Sequence, residues 1–386
     1  MGGRGAGNGR SALYVAAMAA GAAPSLSFGP FLWGPRADLL LFGGSALCSF
    51  ALVGAARAVG LAPGPLPEWG WLLFVVAVDV AHVWSTLFRT YLDREELGRH
   101  KWRYLGVPLA CWALGALLYA QGSMVFWRAL AYVALFHFIR QQVGWVAVYR
   151  ARAGQRGVFD RVLDDATVYA ATLYPVLHWH SRIATTDFAW FVKGDFVDLG
   201  AGAARLLPAA QLVWVGLLGL FVARQVMLAA TTRTLHLGKL VVVLTTAAVW
   251  WLGIVRTNSD FEFTVTNVIV HGVPYFALLY AYAVARKHER PDILGSRIVA
   301  GGVGAFVGLL LLLAFVEELA WDRLIWHDRP WLFDSSGVEL SPVWAALLVP
   351  LLALPQATHY ALDGLLWRRG DTRTRPAQRR ALGFSA

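Results

Sequence analysis

Charge is what this sequence has least of. Only 15% of its 386 residues are Asp, Glu, Lys or Arg, whereas soluble domains carry roughly a quarter. That is too little to cover a water-facing surface of this size, so the exterior is read as largely apolar. Cysteine is nearly absent. Cys48 and Cys111 both sit in apolar runs, which argues against a disulfide framework or a thiolate metal centre. Lysine is scarce as well, with 4 Lys against 30 Arg. There is no phosphate loop, no dinucleotide fingerprint and no HExxH, so the common soluble-enzyme classes have no foothold.

What is abundant is hydrophobic residues (58%) and Trp (18 residues), the latter suited to membrane interfaces. Runs of 17–25 apolar residues are long enough to cross a bilayer. They fall at 39–59, 69–89, 104–120, 124–149, 163–180, 206–228, 237–254, 263–285, 298–317 and 342–365, the runs at 104–120 and 163–180 being short. The expected fold is all-α: a polytopic helical bundle of about ten transmembrane helices with both termini cytoplasmic. On that topology the inner segments hold 23 Lys or Arg and the outer ones 6, the asymmetry of the positive-inside rule. The net charge of +10 is thereby read as topology and contact with anionic inner-leaflet lipids, not as a nucleic-acid footprint. The expected location is the bacterial inner (plasma) membrane.

Three regions follow. Residues 1–38 form a disordered or interfacial N-terminal segment, residues 39–365 a single transmembrane domain, and residues 366–386 an Arg-rich cytoplasmic tail expected on the inner headgroups. The stretch 11–23 is Ala-rich but poor in Leu, and the topology closes without cleavage, so it is not read as a signal peptide. Met18 is an alternative start.

Polar groups within the hydrocarbon zone are costly and commonly functional. In the second run Asp79, His82, Thr86 and Arg89 share a helical face. In the fourth, His137, Arg140, Gln141 and Gly144 do so, Gln142 points elsewhere, and Arg140 needs a partner. Asn267 and His271 are four apart in the eighth, just before Gly272 and Pro274, which are expected to weaken the helix. In the tenth, Gln356, His359 and Asp363 align beyond Pro355, so that His359–Asp363 repeats the imidazole–carboxylate pairing of Asp79–His82. Such a pair is the usual arrangement around a metal-bound histidine, and also a proton relay or a packing contact between helices. All four runs are expected to cross from outside to inside. His82, His137 and His359 then lie at related depths, with His271 nearer the midplane, and the four meet if their helices are adjacent. His178 and His180 lie too far out to join them.

The runs DVAHVWSTLFRTYLD, FHFIRQQVGWVAVYR, HGVPYFALLY and THYALDGLLW resemble a group of uncharacterised polytopic bacterial membrane proteins with intramembrane histidines. The resemblance spans most of the chain; it implies the helical membrane fold and no activity. The histidine boxes of membrane desaturases are absent apart from His178 and His180, and the HxxxDxxH pattern of bacterial carotene-cleaving oxygenases is not matched. The leading expectation is a membrane enzyme whose His82, His137, His271 and His359 bind iron or zinc. Asp79 and Asp363 orient or ligate, Arg140 and Gln141 hold a headgroup or oxyanion, and the substrate is a lipid or isoprenoid. The alternatives are a secondary, proton-coupled transporter using the Asp–His pairs, and a membrane scaffold.

Overall fold

A computed structural model describes residues 26–334, 337–367 and 376–384. The Gly-rich start, the Ala-rich stretch and residues 368–375 and 385–386 of the Arg-rich tail lie outside these residues.

Hydrocarbon offers no partner to a peptide group, so a chain this apolar closes its backbone bonds within helices. The described residues are mostly helical. Helices α1 (Pro35–Ala58), α2 (Glu68–Arg89), the short α3 (Arg94–Arg99) and α4 (Lys101–Ala120) come first. They are followed by α5 (Ser123–Arg152), α6 (Val158–His180), α7 (Gly200–Thr232), α8 (Leu237–Arg256) and α9 (Asp260–Glu289). The C-terminal third holds α10 (Leu294–Ala300), α11 (Gly302–Trp326), α12 (Pro330–Phe333), α13 (Pro342–Leu352), α14 (Leu354–Leu366) and α15 (Pro376–Ala381). A two-residue parallel pairing of Ser27–Phe28 with Thr234–Leu235 is the sole strand contact among the described residues.

Seven of these helices are long and apolar enough to cross a membrane, and eight if α13 and α14 are one bent span. The two predicted crossings outside that set are α5 and α6. Both are long enough, but they are the polar ones, and α5 buries His137, Gln141, Gln142 and Arg150.

Helix α9 is the axis of the bundle. It packs against α1, α2, α8, α10 and α15, and it is buried through most of its length. Helix α7 is the opposite case: it leans on α6 and buries only Ala203, Phe221 and Gln225, so almost its whole surface is left for lipid.

Two elements depart from the sequence expectation. The predicted 298–317 run is split, because the chain turns at Gly302, whose φ of +82° suits a residue without a Cβ. Pro274 does not break α9, which runs unbroken to Glu289 despite the missing backbone bond. Pro355, by contrast, lies at a real bend: α13 and α14 meet at 43°.

The end of the bundle where α2 and α9 finish is pinned by ion pairs. Asp93 caps α3 by accepting from the amides of Glu95 and Glu96, and it also takes a bidentate contact from Arg286 at 2.7 and 3.0 Å. Arg89, fully buried, pairs with Glu96 at 3.0 Å and donates to Gln378 of α15 at 3.0 Å. Part of the predicted tail is therefore seated in the protein, with Ala377, Gln378 and Ala381 buried. At this end the Arg286 guanidinium, hydrogen-bonded to Glu95, holds that carboxyl below its usual range.

Candidate metal centre

The four histidines named by the sequence come together. His82 on α2, His137 on α5, His271 on α9 and His359 on α14 are all buried, and one ring nitrogen from each lies within 4.8 Å of the others. The closest approaches are Nε2 to Nε2: 3.0 Å for His271–His82 and 3.1 Å for His359–His137. Ring centroids of the neighbouring pairs are 4.6–5.1 Å apart. A tetrahedral ion with metal–nitrogen bonds of about 2.0–2.1 Å separates its donors by about 3.3 Å, so the cluster is close to the size such an ion requires.

Local structure explains the convergence. Gly272 follows His271 at the α2–α9 crossing, where a Cβ would stand 2.7 Å from a Val78 methyl and 3.8 Å from the His82 Cβ. The missing side chain lets the two helices approach and brings His271 onto His82. On its other side His271 stacks on Phe138, with centroids 3.5 Å apart and planes 6° from parallel.

A second layer of polar groups surrounds the rings. The His359 Nδ1 is 2.7 Å from the Thr86 hydroxyl, which is 3.3 Å from the Tyr275 hydroxyl. Tyr275 donates to Asp363 Oδ1 at 3.0 Å, and Asp363 Oδ2 lies 3.7 Å from His137 Nδ1. A carboxylate only accepts, which fixes the direction of the chain. Tyr275 gives its proton to Asp363, Thr86 gives its own to Tyr275, and His359 Nδ1–H gives to Thr86. His137 Nδ1 faces Asp363 Oδ2 at 3.7 Å, beyond hydrogen-bond reach. The ordered chain leaves the lone pair of His359 on Nε2, 3.1 Å from His137 Nε2. The residues present therefore fit a metal by donor type and spacing, with His359 in the tautomer a metal needs.

The expected pairings are rearranged. Asp363 faces His137 of another helix instead of His359 on its own, and His359 is oriented by Thr86. Asp79 keeps its own partner, 3.7 Å from His82 Nδ1, with a third of its side chain exposed. Gln141 is buried with neither amide atom hydrogen-bonded. Arg140 is exposed and donates to Tyr169 on α6 at 3.0 Å, so it has its partner but is not drawn into the cluster. Gln142, which was expected to point elsewhere, accepts from Thr246. His178 and His180 stay outside; His180 bonds to Tyr132 at 2.8 Å. Tyr275 and Phe138 were not singled out from sequence, although Tyr275 stands one turn after His271, where a partner for the site belongs.

Two cavities flank the cluster. The larger, about 670 Å³, is lined by Asp79, Phe138, Asn267 and Tyr360 beside the histidines, and it reaches up to Glu68, Lys193 and Arg329. Its walls come from segment 187–193, the end of α11 and, on the four ligand helices, mainly the N-terminal portions, with α2 lining it as far as Val83; the four ligand helices thus run in one direction. The smaller, about 260 Å³, lies on the His359 and Thr86 side and is walled mainly by apolar residues of α2, α4, α13 and α14.

Compared with protein-family models, curated proteins and solved structures, the chain matches none.

Proposed function

We propose that this protein is a membrane-embedded metalloenzyme in which His82, His137, His271 and His359 hold one iron or zinc ion and the substrate is a lipid or isoprenoid. The observation that carries the reading is the convergence of four buried imidazole nitrogens within 4.8 Å of one another, with His359 oriented through Thr86, Tyr275 and Asp363. An all-imidazole donor set suits iron or zinc. An ion so held supplies a Lewis acid, and in the iron form one-electron chemistry as well. Asp363 and Thr86 orient the rings. Phe138 shields His271 from water, and Asp79, open to the larger cavity, is the group placed to exchange a proton with a bound molecule. The smaller cavity, bordered by the lipid-facing α4, supports a hydrocarbon chain reaching the His359 side of the site.

The topology belongs to the same reading. We infer ten crossings with cytoplasmic termini in a plasma membrane, the polar α5 and α6 being sheltered by α4, α7 and α8. Support comes from their length: α5 has 30 residues, about 45 Å at the α-helical rise. The 23-to-6 distribution of Lys and Arg supports a topology with the mouth of the larger cavity on the outer side.

Elemental analysis of the detergent-purified protein tests the metal. About one ion per chain is expected, lost in a His82→Ala/His359→Ala double variant. A folded wild type without iron or zinc contradicts the reading. A proton-coupled transporter is the second reading, favoured by the wide one-sided cavity that ends at Asp79. Substrate uptake into proteoliposomes by metal-free protein, abolished by Asp79→Asn, selects it over the enzyme.

A further inference from the structure

The larger cavity carries a charge pattern that the metal centre does not use. Six carboxylates line it (Glu68, Asp79, Asp187, Asp260, Glu318 and Asp328) against two cations, Lys193 and Arg329. Arg329 is already engaged, lying 3.7 Å over the Trp71 ring and 3.4 Å from Glu68. Asp260 accepts from the Leu66 amide and Asp187 from Asn258. The two carboxylates deepest in the chamber have no such company. Asp79 has only His82 at 3.7 Å, and Glu318, 9% exposed, makes no hydrogen bond or ion pair among the described residues.

A second observation comes from the neutral groups on the same wall. Asn267 is 4% exposed; its amide nitrogen donates to the Phe263 carbonyl, while its carbonyl oxygen has no donor. The Gln356 carbonyl oxygen is also left without one, its amide nitrogen being given to Glu317. The unmet demand of the inner chamber is thus for hydrogen-bond donors with positive charge. Between these acceptors the surface is aromatic, with Trp127, Trp190, Phe263 and Trp321 contributing. Ring faces attract cations, the more so when desolvated, and Arg329 over Trp71 shows that contact already made at the rim. A hydrated divalent ion wants a shell of oxygens and gains little from indole walls.

We propose that this chamber binds an organic cation with N–H donors, a protonated amine on a hydrocarbon or aromatic body, held between Asp79, Glu318 and the Asn267 carbonyl. The volume, about 670 Å³, is that of a site for a small molecule of moderate size. The inference rests on the metal-centre reading for what becomes of the amine, which makes the substrate an amphiphile with an amine head. It does not rest on that reading for binding.

Calorimetric titration of the full chain, purified with whatever metal it holds, separates the possibilities. The probes are 2-phenylethylammonium and its neutral isostere 2-phenylethanol. The amine is expected to bind at least about tenfold tighter, the margin that a desolvated cation–π contact with a paired carboxylate supports. Glu318→Gln brings the amine down to the level of the alcohol while metal content stays at the wild-type value. Asn267→Asp, which adds a carboxylate, tightens the amine and guards against a Glu318 variant that misfolds. Equal binding of amine and alcohol, or an amine affinity indifferent to both substitutions, overturns the proposal. So does displacement of the amine by magnesium, which makes the acidic pair a divalent-ion site. A metal-free protein that still prefers the amine leaves this inference standing and removes the metalloenzyme.

Discussion

At the scale of single residues, the site is decided by which atom each histidine turns inward. Asp363 is central because it is the acceptor at which the chain from His359 through Thr86 and Tyr275 ends, and because it faces His137 from its other oxygen. An amide at that position can donate, so the direction of the chain is no longer fixed. Asp363→Asn is expected to weaken metal binding by about 10–100-fold, the usual cost of losing such an outer partner, as read by competition with a chelator. Unchanged affinity means that Asp363 does not set the tautomers. The sequence displayed the four histidines and Asp363 through their spacing on helices. It could not show that Asp363 serves a different helix from its own, because an i, i+4 pattern reports a shared face and not which neighbour that face meets. Arg140 illustrates the same limit: three residues from His137, it diverges far enough to reach Tyr169 and leave the cluster.

At the scale of elements, the cluster depends on one close helix crossing and one pinned end. Gly272→Ala places a methyl against Val78 where there is no room. Overpacking of this kind costs typically about 1–3 kcal/mol, and here it also separates His271 from His82. Thermal unfolding in detergent should show the loss of stability, and metal content should fall with it; a variant with full metal and unchanged melting contradicts the account of the crossing. At the far end, Asp93 is buried against Arg286. Removing it by Asp93→Ala leaves a guanidinium without its main partner and should cost about 3–5 kcal/mol, measured by the same melts. Glu95 gives a pH signature. Its folded-state pKa is depressed by Arg286, so its contribution is present above the unfolded value of about 4.3 and is lost as pH falls through the lower folded value. Glu95→Gln should therefore flatten the decline of melting temperature below about pH 4.3; an identical acid limb contradicts it. Elements were legible wherever apolar length alone defined them, as in α1, α7 and α9. Boundaries set by one residue's backbone, as at Gly302, and the continuation of a helix past a proline, as at Pro274, were not.

At the scale of the whole molecule, polarity is arranged from the inside out. The helix with the most buried polar groups, α9, is the axis of the bundle, and the plainly apolar α7 is outermost. A soluble fold does the reverse, and a lipid-facing exterior explains the low charge of the chain. The common direction of the four ligand helices, read from their shared cavity wall, is what an odd number of crossings between each successive pair requires. Single cysteines at exposed positions of the segment 181–199 are expected to react with a membrane-impermeant thiol reagent from outside intact cells, and a cysteine at Arg290 only after lysis. The opposite pattern inverts the topology without disturbing the site.

X-ray absorption at the iron and zinc edges on the purified protein reads the metal centre itself. One ion with a first shell of imidazole nitrogens at about 2.0–2.1 Å is expected, with a spectrum altered when His137 is replaced by alanine. A protein without either edge, or a shell without imidazole, contradicts the metal-centre reading.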